Sequence, residues 1–139
     1  MNWRLTLSIT PFVLLVIASP AKADPCEGPL PNRSGVEFSG TVRYVGDGDS
    51  LCVGQTDDPN EWIEVRIADF DAPELHRPGG EAAKAALVRL ALGQPVVCTT
   101  ERGRSGRVIS FDRVIARCWI GSVSIGNLLR RAGIAEGGN

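Results

Sequence analysis

The sequence predicts a mainly β domain, a five-stranded Greek-key barrel with two short helices, and three observations carry the prediction. Apolar and polar residues alternate in short runs, as in Ile63-Glu64-Val65-Arg66-Ile67, which is the period of a strand with one buried face. The runs are separated by turn chemistry, Gly46-Asp47-Gly48-Asp49 and Asp57-Asp58-Pro59-Asn60. One alanine- and leucine-rich segment, 81–92, has strong helical propensity and lies between the third and fourth runs.

In chain order, residues 24–35 are rich in proline and form an arm without regular structure, pinned at most by Cys26. Val36 to Val45 is the first strand, with Gly40 where a small barrel would bend or bulge. Ser50 to Gln55 returns after the first turn and 61–68 follows the second, so the first three strands make a meander. Pro73 cannot donate to a ladder and ends the third strand's reach. A short loop, 75–80, leads to the helix, where Glu81 suits the first turn and Gly93 stops it. Val96 to Thr100 is the fourth strand and 101–106 a polar turn. Val108 to Ile120 is the fifth, interrupted near Phe111-Asp112-Arg113. Ser124 caps a last short helix containing Ile125, Leu128 and Leu129, and Gly133 ends it. A helix between the third and fourth of five strands is the layout of the OB-fold. The domain is expected over 36–136, with 137–139 as a tail.

The first 23 residues stand apart. Arg4 precedes an apolar run, Leu5 to Ala18, and Ala21-Lys22-Ala23 fits a cleavage site, so 1–23 is expected to be a secretory signal peptide. The run is shorter than the roughly 20 residues a membrane-spanning helix needs. The mature chain is expected to be exported, periplasmic or secreted, monomeric and free of the membrane. Cleavage removes Arg4 and Lys22, leaving 15 − 2 = 13 basic and 16 acidic residues, a net of −3. That excludes binding of nucleic acid through bulk charge and leaves a local patch as the means. Arg102, Arg104, Arg107, Arg113, Arg117, Arg130 and Arg131 supply one, and for most of them a solvated face is the ordinary explanation.

Cys26, Cys52, Cys98 and Cys118 match no zinc spacing. In an oxidising compartment four cysteines allow two disulfides in three connectivities. Cys98 and Cys118 each end an apolar run and can face each other across neighbouring strands, which leaves Cys26 to tie the arm to Cys52.

Three segments concentrate chemistry: Asp47-Gly48-Asp49; Arg66 with Asp71 and Glu74; and Phe111-Asp112-Arg113. Singly they are a turn, a charged strand face and a surface pair worth little. Together, Val45-Gly-Asp-Gly-Asp-Ser50, Val65-Arg-Ile-Ala-Asp-Phe-Asp-Ala-Pro-Glu74, Phe111-Asp-Arg-Val-Ile-Ala116 and the closing Asn127 to Ala135 resemble the staphylococcal nuclease (thermonuclease) family across 39–135. The resemblance implies a calcium-dependent phosphodiesterase acting on DNA or RNA. It implies Asp49, Asp71 and the main-chain carbonyl of Ala72 as Ca²⁺ ligands, with Asp47 supporting them. It implies Glu74 as the base that activates water, and Arg66 and Arg113 as a phosphate clamp. Hard Ca²⁺ prefers several oxygen ligands, and arginine forks suit phosphate oxygens. Asp112 and Phe111 stand where the family has glycine and tyrosine, and Gly106-Arg107 offers a rival placement that the downstream spacing disfavours. The family's base-binding tyrosines have no counterpart, which predicts looser substrate binding. His76 is expected to be a loop residue. The alternatives are an OB-type binding module without turnover and a small disulfide-held structural domain.

Overall fold

The computed structural model describes residues 24–137. The expected signal peptide, 1–23, and the last two residues of the expected tail lie outside them. Strands β1 (Glu37–Asp47), β2 (Ser50–Gly54) and β3 (Ile63–Ile67) form the meander, with a 3-10 turn at Pro59–Glu61 before β3. Helix α1 (Gly80–Ala91) follows, then β4 (Pro95–Thr100), which pairs back onto β1. After β5 (Ile109–Ser110), β6 (Arg113–Ile120) pairs antiparallel with β4 and parallel with β3. That parallel pair closes the barrel in the cyclic order β1-β2-β3-β6-β4, the OB-fold arrangement expected from the sequence. A two-residue β7 (Val123–Ser124) and helix α2 (Ile125–Arg131) complete the chain.

Alternation along the strands makes the core. Val96, Cys98 and Thr100 of β4 and Val114, Ala116 and Cys118 of β6 point inward, as do Val65 and Ile67 of β3. Helix α1 lays Ala83, Ala86, Leu87 and Ala91 against this core, and α2 adds Ile125 and Leu129. Ser124 caps α2 by accepting from the Asn127 N–H at 3.2 Å. Both disulfides pair as the strand positions suggested, Cys26 with Cys52 and Cys98 with Cys118, the latter directly across β4 and β6. They fit an oxidising, extracytoplasmic setting. Among the described residues no helix is long and apolar enough to cross a membrane.

Three expectations need correction. The register of β1 against β2 shifts at Arg43 and at Gly46, not at Gly40. Gly40 answers a different need: a Cβ there would come within 2.9 Å of the Gly54 carbonyl oxygen. The fifth run is not one interrupted strand. It folds back at Phe111-Asp112, so that Ser110 pairs with Arg113 in a tight β5–β6 hairpin. The arm is held by more than Cys26, because Glu27 and Gly28 donate to the carbonyls of Pro59 and Trp62, and Thr100 accepts from Val36 while donating to the Arg33 carbonyl.

Candidate active site

The β1–β2 turn and the end of β3 are laid side by side by backbone pairing. Ser50 lies opposite Arg66 in the ladder, and the Ile67 N–H donates to the Asp49 carbonyl at 2.8 Å. Gly48 lets the turn pack this closely, since a Cβ there would sit 2.6 Å from those of both Ala72 and Ala83. Asp47 holds the turn from within. Its carboxylate accepts from the Asp49 N–H at 3.1 Å and from the Ser50 hydroxyl at 2.7 Å. Burial raises the Asp47 carboxyl, yet these bonds and the Arg113 charge bring it below its ordinary value.

Beyond Ile67 the chain turns over the buried Phe70 ring and runs through Asp71-Ala72-Pro73-Glu74. The Ala72 N–H donates to Asp49 Oδ2 at 2.7 Å. Arg66 projects into the space between the carboxylates. Its Nη2 lies 3.2 Å from Asp49 Oδ2 and 2.5 Å from Asp71 Oδ1, while Nη1 donates to the carbonyls of Ile67 and Phe70. Asp49 is 7 % exposed. Burial, opposed by Arg66 and seconded by the Asp47 charge, pushes its carboxyl up to about 7.

These groups line a cleft of about 570 Å³. All six residues singled out from the sequence are on its wall: Asp49, Arg66, Asp71, Ala72, Glu74 and Arg113. Arg113 enters from the first position of β6, brought there by the parallel β3–β6 pair. Its rival Arg107 lines a neighbouring groove instead, and His76 is an exposed loop residue off the cleft wall. Asp112 makes no ion pair with Arg113. It lies with Asp24 and Glu64, where burial and the charges of Asp24 and Asp112 push Glu64 up to about 7 against the pull of Arg113. The Glu74 side chain is exposed at the rim, with no hydrogen bond or ion pair among the described residues.

Residues not singled out for the site from the sequence also meet Asp71. Arg104, on the loop between β4 and β5, reaches Asp71 Oδ2 at 3.0 Å. The segment after α2 closes one side: the Asp71 N–H donates to Glu136 Oε1 at 3.0 Å, and the Gly137 N–H donates to the Asp71 carbonyl at 2.8 Å. Arg130 steadies this strap. It pairs with Glu136 at 3.2 Å, donates to the Asp69 carbonyl and lies over the Phe70 ring at 5.6 Å. The arginine run 102–107 was a signal for Arg104. Nothing local marks Glu136.

The donor set suits a hard cation. Two carboxylate oxygens, of Asp49 and Asp71, already converge on one cationic nitrogen, that of Arg66. Among the described residues, the three carboxylates of Asp24, Glu64 and Asp112 cluster outside this cleft. No family model matches the chain, and no curated protein matches it.

Proposed function

We propose that the chain is an exported nuclease that hydrolyses phosphodiester bonds of DNA or RNA with Ca²⁺. The observation that carries this reading is that one cleft brings the paired carboxylates of Asp49 and Asp71 together with Arg66, Arg113 and the rim carboxylate of Glu74, from separate parts of the chain. The likeness of the same segments to the staphylococcal nuclease family supports it. Asp49, Asp71 and the Ala72 carbonyl would hold the ion, which supplies charge neutralisation at the phosphate and orients it for in-line attack. Arg66 would offer its fork to the equatorial phosphate oxygens when its carboxylate partners hold the ion, and Arg113, which lines the same cleft, would do the same. Both bonds strengthen as charge grows on those oxygens, and only such differential binding raises the rate. Glu74, exposed and unpartnered at the rim, accepts the proton of the attacking water. Asp47 stays ionised and keeps the turn bearing Asp49 in place.

The test is digestion of single-stranded DNA, duplex DNA and RNA by the mature chain in Ca²⁺ or in chelator. Cleavage in Ca²⁺ alone, reduced at least 100-fold in Glu74→Gln, is the expected result. Absence of cleavage, or cleavage that survives chelation and Glu74→Gln unchanged, refutes the reading. One contact favours a second reading, a binding module without turnover: the Arg66 bridge can neutralise Asp49 and Asp71 with no metal at all. Titration calorimetry separates the two, because the nuclease binds Ca²⁺ through these carboxylates and the module binds none.

A further inference from the structure

Phe111 is an anomaly of placement. It is 93 % exposed, while the other exposed large apolar residues among those described, Val88, Leu92 and Val97, are 37 to 44 % exposed. It stands at the first central position of the β5–β6 turn with φ 58°, the one positive φ among the described non-glycine residues. A positive φ at that position alone is the pattern of a hairpin turn that takes glycine there. The chain uses glycine for left-handed backbone elsewhere, including Gly106 in the preceding turn. A bulky ring at this point is strained and buries almost nothing, so folding does not account for it.

Beside the ring runs a groove of about 750 Å³ whose wall includes Asn32, Arg102, Arg107 and Ser110. Arg107 makes no ion pair among the described residues, and Arg102 donates only to the Gly106 carbonyl, at 2.9 Å. The nearby acids are turned elsewhere. Glu101 holds Arg117 at 2.9 Å, and Asp112 lies with Asp24 and Glu64. The groove is therefore positively charged with an aromatic face at its edge. The chain links it to the cleft twice: Arg104, on the same loop as Arg102 and Arg107, reaches Asp71, and Arg113, two residues after Phe111, lines the cleft.

We propose that Phe111 and this arginine groove form a subsite for an unpaired nucleic-acid strand, with a base stacked on the ring and the backbone phosphates on Arg102 and Arg107. An exposed ring accepts the face of any base, which gives affinity without sequence preference. A base inside a duplex keeps its faces covered by its neighbours, so the subsite selects single strands or frayed ends. The direction of the strand, away from the candidate active site, rests on the nuclease reading; the binding itself does not.

The test is fluorescence anisotropy with a labelled oligothymidylate and a labelled duplex of equal length, in chelator, with wild type, Phe111→Gly, Phe111→Trp and Arg107→Gln. Phe111→Gly is expected to weaken binding of the single strand by about 5- to 100-fold, the range of one lost stacking contact. It should leave duplex binding unchanged and melt no lower than wild type, because glycine relaxes the turn. Phe111→Trp should keep the single-strand affinity. Arg107→Gln should weaken both ligands and reduce the single-strand salt slope by about 0.7. Wild type without measurable single-strand affinity, Phe111→Gly binding as wild type does, or equal loss on both ligands overturns the subsite. A wild type that cleaves in Ca²⁺ while Phe111→Gly binds normally defeats the subsite and leaves the nuclease. A wild type that never cleaves but loses single-strand affinity with Phe111 defeats the nuclease and leaves the subsite.

Discussion

Arg66 is asked to do two things that exclude each other. Its Nη2 pairs with Asp49 and Asp71 together; in the proposed reaction it turns to phosphate. Removing it leaves the buried Asp49 carboxylate without a cation, and the half-exposed Asp71 with Arg104 alone. Arg66→Ala should then cost roughly 1–3 kcal/mol of stability in chelator, less than a fully buried pair would because Asp71 is partly solvated. In Ca²⁺ that cost should shrink, since the ion replaces the lost charge. Denaturant melts with and without Ca²⁺ measure both, and equal costs in the two conditions would mean that arginine and ion do not share these carboxylates. Arg66→Lys keeps the charge and loses the fork, so kcat/KM should fall by about 10²-fold or more while the metal-free melt moves less than for Ala.

Among the elements, the turn between β1 and β2 shows how much a short motif can conceal. The sequence marks Asp-Gly-Asp as a turn, and it is one, but Gly48 also serves as the contact between that turn, Ala72 and α1. Gly48→Ala must part these elements and is expected to cost about 1–3 kcal/mol and to weaken Ca²⁺ binding through the displaced Asp49. A melt and a calorimetric titration check this, and a variant with native affinity would show that the packing does not set the site. The Cys98–Cys118 bridge ties β4 to β6 across a sequence separation of 20. Its removal as the double alanine variant should cost about 2–5 kcal/mol, read by urea melts. Strands, helices and caps were legible because alternation, propensity and capping are local. The β5–β6 fold-back was not, because Phe111-Asp112 carries none of the glycine chemistry that announces such a turn. The six cleft residues were legible from their segments, whereas Arg104 and Glu136 reach Asp71 only through loop closure and barrel curvature, which no short window of sequence contains.

For the whole molecule, two carboxyls tilt stability against pH in an unusual sense. Asp49 and Glu64 titrate near 7 in the folded chain and near ordinary carboxylate values once unfolded. Between those limits the folded state binds more protons, so this part of the stability is present at low pH and is lost as pH rises toward 7. In chelator, Asp49→Asn should therefore flatten the stability profile between about pH 4 and 7. Superimposable profiles for the variant and wild type would remove Asp49 as the cause. In Ca²⁺ the wild-type trend should reverse, because only the ionised carboxylate binds the ion. Barrel closure carries a last consequence. Arg66 stands on β3 and Arg113 on β6, and the parallel pairing of those two strands is what seals the barrel. Five of the six cleft residues proposed to act on substrate or metal have been synthesised by Glu74, yet no cleft exists until the chain has run on past residue 113 and wrapped round. On the proposed reading, a chain kept unfolded for passage across a membrane would carry no assembled site, and would become active on nucleic acid only where it folds.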